Sequence, residues 1–167
     1  MGPGERRLEI NWSDPSTLAR ASREMEGLEL LRAIVGGSLP RAPIQDLLGF
    51  ELEEADEGRV VFSAVPGEQH YNPIGVVHAG LAATMLDSAM GAAVHTTLTK
   101  GLGYTTLETK FNLTRPITAD TGRIVAEGTV LHRGRTLATA DGRVTDERGK
   151  LLAHGTSTCL VFETGGR

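Results

Sequence analysis

The chain has 167 residues, one domain's worth, and its 40% hydrophobic and 23% charged residues fit a globular protein and exclude a disordered one. A formal net charge of -4 excludes a strong field for nucleic acid or anionic membrane. The single cysteine, Cys159, excludes an intrachain disulfide, and no run of about 18 apolar residues exists to form a membrane-spanning helix.

The stretch from Met1 to Arg20 is charged throughout and has no apolar core of a secretory signal, so the expected location is cytoplasmic. Asp14 followed by Pro15 is a helix start. Leu18, Ala21, Met25, Leu28, Leu31 and Val35 then recur every three or four residues and predict one amphipathic helix, stopped by Gly36-Gly37. Pro40 and Pro43 are expected to keep the following stretch out of a helix. We take residues 1–43 as a helical extension and residues 44–167 as the main domain.

Phe50–Ala55 and Arg59–Val65 flank Asp56-Glu57-Gly58 and predict a hairpin. Turn residues fill the loop from Pro66 to Gly75, and Val77–Leu98 predicts a long helix. Four β-like segments follow: Tyr104–Thr114, Ile124–Arg133, Thr136–Thr145 and Leu151–Phe162. Their short separators demand antiparallel neighbours. The long helix is apolar or small almost all round, and such a helix is buried on every side. The expected architecture is therefore α+β, an antiparallel sheet of about six strands wrapped around one helix. With only 4% aromatics the core must come from Val, Leu, Ile and Ala, and so small a domain often buries more surface by oligomerising.

One carboxylate, Asp87, sits in that helix, and burial requires partners for it or a raised pKa. With Thr84, Ser88, Gly91 and His95 it lies on one small, polar seam. That seam is a pocket wall, or else Asp87 sits at a solvated edge or in a structural hydrogen-bond network. The helix start, Gly75-Val76-Val77-His78-Ala79-Gly80, offers unsatisfied N–H groups to an anion or a developing oxyanion. His78 is either part of that site or an ordinary capping or core histidine. His78 and Asp87 are nine positions apart, so on one helix they stand ~13.5 Å apart along the axis and ~180° around it. They serve one reacting atom only if two copies of the helix meet across a twofold.

The run Asn72-Pro73-Ile74-Gly75-Val76-Val77-His78-Ala79-Gly80, then Thr84-Met85-Leu86-Asp87 and Gly91-Ala92-Ala93, resembles the hotdog-fold acyl-CoA thioesterases of the phenylacetate-degradation (PaaI-like) type. The resemblance spans about Leu47 to Val161. It implies a hotdog fold and hydrolysis of an acyl-CoA, aryl-acetyl or short to medium chain, to carboxylic acid and free coenzyme A. It also implies Asp87 as nucleophile or general base, the Ala79 N–H as oxyanion donor, and Asn72 and His78 as its supports. A hydroxyl at the start of the next strand would position the water; Thr106 matches best, with Thr105 as fallback. Such enzymes carry His-Gly-Gly where this chain has His78-Ala79-Gly80, which a backbone donor tolerates.

Coenzyme A brings phosphates, and His132, Arg133 and Arg135 around Gly134 are the expected cluster for them unless they form a solvated hairpin end. Arg115 is a weaker candidate. No cofactor beyond the substrate's own coenzyme A, no metal, no nucleic acid and no membrane is expected. The five histidines show no His-x3-His pair, and phosphate loops and Gly-x-Ser-x-Gly elbows are absent. The expected assembly is a homodimer with shared active sites, paired further into a homotetramer. The rivals are a non-catalytic acyl-CoA-binding module and a hotdog hydratase or dehydratase.

Overall fold

Asp14 caps the first helix by accepting the Ser16 N–H at 2.8 Å, with Pro15 in the first turn. In the computed structural model, which describes residues 4–165, this helix is α1 (Pro15–Glu24), and it does not run on to Val35. Extended backbone at Met25 separates it from α2 (Gly27–Val35). The cause lies at Gly27, whose N–H donates to the Leu98 carbonyl at 3.0 Å. A Cβ there would stand 1.8 Å from the His95 carbonyl oxygen. Only glycine allows that approach, and docking on the central helix outranks the apolar period. Leu30 and Leu31 of α2 are buried.

The prolines also fail to suppress a helix. Pro43 opens α3 (Pro43–Leu48), because in a first turn its missing N–H costs no hydrogen bond. The Gln45 side chain accepts the Ala42 N–H at 3.0 Å, and Gly49 at φ +66° ends the helix. The expected boundary between residues 43 and 44 thus falls in the first turn of α3.

The sheet has six antiparallel strands: β1 (Phe50–Asp56), β2 (Arg59–Ala64), β3 (Leu102–Leu113), β4 (Ile124–Arg133), β5 (Leu137–Asp146) and β6 (Leu151–Glu163). Their order is β1-β2-β4-β5-β6-β3, so β3 is an edge. Between β2 and β3 the chain forms α4 (Ala79–His95), which packs across the sheet. The strand residues beneath it are small: Ala126 and Gly128 of β4, Ala138, Ala140 and Gly142 of β5. A Cβ on Gly128 would stand 2.3 Å from the Ala89 carbonyl carbon. The helix therefore lies close on the sheet, and Met85, Leu86, Ala89 and Met90 fill the space between them.

Burial on every side is not what α4 shows. Ala83, Thr84, Asp87 and Ser88 form a half-exposed strip, because one sheet covers one side of a helix.

Candidate active site

The loop before α4 is tied down by Asn72. Its side-chain oxygen accepts the Ile74 and Val76 N–H groups at 3.0 and 3.3 Å, and its own N–H donates to the Val76 carbonyl at 2.8 Å. The Val77 N–H donates to the Ile117 carbonyl at 2.9 Å and the His78 N–H to the His70 carbonyl at 2.7 Å. His70 is fixed in turn: its Nδ1 accepts the Gly67 N–H at 3.0 Å and its Nε2 donates to the Leu48 carbonyl at 3.1 Å. His78 is the N-cap of α4, its Nδ1 accepting the Gly80 N–H at 2.9 Å. Among the described residues the Ala79 N–H has no acceptor. A cleft of about 450 Å³ opens beside His78, Gly80 and Thr84, and one of about 320 Å³ beside Ala79, Leu113 and Arg115. The arrangement presents a donor, backed by the positive end of the helix dipole, to a developing negative charge.

Asp87 lies on the half-exposed strip and accepts the Thr109 hydroxyl on its Oδ1 at 3.0 Å. The Thr84 hydroxyl is spent on the Gly80 carbonyl at 2.9 Å. Thr106, the residue expected beside the reacting water, pairs across the sheet with the buried Cys159. Burial pushes the Cys159 thiol above its ordinary pKa, and the Asp87 charge adds to this, while the Ser157 and Thr106 hydroxyls oppose it. Burial likewise raises the Tyr104 phenol far above its ordinary range, so it stays protonated. A Cβ on Gly91 would meet the Tyr104 hydroxyl at 2.8 Å. Thr105 is exposed. The hydroxyl that meets Asp87 is thus Thr109's, which strand alternation did not single out.

His78 and Asp87 stand at the cap and the ninth residue of α4, so one chain does not bring them to a common atom. Nor does it bring the basic hairpin to its own helix start. The hairpin lies beyond Val130, whose N–H donates to the Gly58 carbonyl, and Gly58 in turn donates to the Thr96 hydroxyl past the end of α4. The helix start is tied to Ile117, before β4 begins. A ten-residue strand between them spans about 33 Å. On the hairpin His132 and Arg135 are exposed, and the half-buried Arg133 has a buried Nε with no acceptor among the described residues.

Residues 74–153 match the thioesterase superfamily. Over 131 residues the chain is 31% identical to acyl-coenzyme A thioesterase 13 of Homo sapiens, spanning 77% of this chain and 91% of that protein. A solved phenylacetic acid degradation-related protein from Ralstonia eutropha is 27% identical, with a TM-score of 0.70 over 78% of this chain and 98% of that one. A thioesterase protein from Streptococcus pneumoniae solved with coenzyme A is 25% identical, with a TM-score of 0.62 over 68% of this chain and 86% of that one. With the same sheet-wrapped helix and a relative matched over nearly its whole length, this hotdog-fold chain belongs to the thioesterase superfamily.

Proposed function

We propose that the protein is an acyl-CoA thioesterase whose site is built by two copies of the chain. The observation that carries this reading is the acceptor-free Ala79 N–H at a capped helix start, on the same helix as a carboxylate too distant to share its substrate. A thioester carbonyl oxygen accepts the Ala79 N–H, which stabilises the negative charge that grows as the carbonyl carbon becomes tetrahedral. Asn72 and His78 hold that donor in place through the loop and the cap. Asp87 of the second copy attacks the carbon or takes the proton of the attacking water. Either route adds water across the C–S bond, giving the acid and the free thiol of coenzyme A.

The second copy is supported by two exposed features on one side of the molecule. Edge strand β3 runs for 12 residues and pairs among the described residues only with β6, leaving polar backbone to be covered. The half-exposed strip of α4 with Asp87 lies beside it, joined through Thr109. In a twofold pair with antiparallel helices, the hairpin end of one copy faces the helix start of the other. His132, Arg133 and Arg135 then reach the phosphates of coenzyme A bound at the partner's helix start, and the buried Arg133 Nε gains an acceptor.

The test is release of free thiol from a panel of aryl-acetyl and short- to medium-chain CoA thioesters. Turnover is expected on at least one. Arg135→Ala is expected to raise KM severalfold for that CoA thioester while leaving the matching pantetheine thioester, which lacks the nucleotide, unchanged. A folded protein that releases no thiol from any of them contradicts the reading.

A further inference from the structure

Thr106 and Thr109 both face α4 although three positions separate them. Thr106 pairs with the buried Cys159, and Thr109 pairs with the buried Ser157 and reaches Asp87. Strict alternation from Thr106 would turn Glu108 and Lys110 toward the helix instead. The register with β6 slips between Thr106 and Glu108, leaving Leu107 as the extra residue of a bulge. Such a bulge re-aims the side chains that follow it. Here it sends Glu108 and Lys110 outward and brings Thr109 under Asp87.

Ser157 pins the bulge. Its hydroxyl, 3% exposed as a residue, donates to the Glu108 carbonyl at 3.1 Å, inside the slipped stretch. The Thr109 hydroxyl has one proton and two neighbours, the Asp87 Oδ1 at 3.0 Å and the Ser157 Oγ at 3.4 Å. The shorter contact, to a charged acceptor, takes the proton. Among the described residues nothing donates to Asp87 Oδ2. One carboxylate oxygen is therefore held and the other is left to act.

We propose that Thr109 is a positioning residue for Asp87, delivered by the β3 bulge that Ser157 pins, and that it holds Oδ1 so that Oδ2 faces the thioester or the attacking water. Thr109 has this role only because Asp87 carries the chemistry proposed above, so the experiment separates the two. Measured are kcat and KM on an acyl-CoA that the wild type hydrolyses, for Thr109→Val, Thr109→Ser, Ser157→Ala, Asp87→Asn and the Thr109→Val/Asp87→Asn pair. Misdirecting a reacting group is expected to lower kcat about tenfold or more in Thr109→Val, with KM within about twofold of wild type. Thr109→Ser keeps the donor and restores most of the loss; Ser157→Ala loosens the bulge and gives a smaller fall. In the Asp87→Asn background, Thr109→Val adds no further loss, since it acts through the missing carboxylate. If Thr109→Val does not fold, Thr109→Ala carries the same expectations. Wild-type kcat in the valine or alanine variant, with Asp87→Asn inactive, overturns the positioning role and leaves the thioesterase reading standing. A Thr109 effect that multiplies in full with that of Asp87→Asn overturns it too. Full activity in Asp87→Asn overturns both.

Discussion

His95 shows how one side chain on α4 links stability to pH. It stands in the last turn, edge-on to the Tyr104 ring with centroids 5.5 Å apart, and burial holds its pKa below the ordinary histidine value of 6.5. The folded protein keeps it neutral where the unfolded chain has begun to take up a proton. Its contribution is therefore complete above about pH 6.5 and is lost as the pH falls toward the lower, folded value. His95→Gln removes this loss. The fall in Tm between about pH 7.5 and about pH 5.5 is expected to be larger for wild type than for the variant, and equal falls contradict the assignment. At this scale Asp87 and His78 were legible because residue type and spacing mark them. A lone carboxylate on an apolar helix and a histidine opening one stand out in any reading. Thr109 was not legible: from Tyr104 and Thr106 the period of two points to Glu108, and the one-residue slip that replaces it is a property of the pairing with β6.

Among the elements, the central helix sets the composition of everything it touches. Gly128 of β4 carries no side chain because the Ala89 backbone occupies the place of its Cβ. Gly128→Ala forces helix and sheet apart, and overpacking of this kind costs about 1–3 kcal/mol. Urea unfolding is expected to show that loss; unchanged stability would mean that the helix does not rest on β4 at this point. The strands and α4 were readable in the sequence because glycine, proline and aspartate turns bound them. The break between α1 and α2 was not, since it answers to the distant contact of Gly27 with the end of α4. The helix α3 was missed for a different reason. Proline breaks a helix from within, but in a first turn, as at Pro43, it starts one.

The whole molecule poses the question its parts leave open. The Ala79 N–H proposed as oxyanion donor, the Asp87 carboxylate and the basic hairpin are kept apart within one chain by the length of α4 and the order of the sheet. The exposed β3 edge and the half-exposed strip of α4 lie where a second copy would bring them together. Each site then takes its helix start from one copy and its Asp87 from the other. The measurement that tests this most directly is activity on mixing two inactive variants, Asp87→Asn and the double variant Asn72→Ala/His78→Ala. In a mixed dimer one site inherits every lesion and the other inherits none, so about half of a normal dimer's activity should return per heterodimer. The recovery should follow the time course of subunit exchange. Heterodimers that form, as shown by differential tags, and remain inactive would contradict the shared site and place donor and carboxylate within one chain.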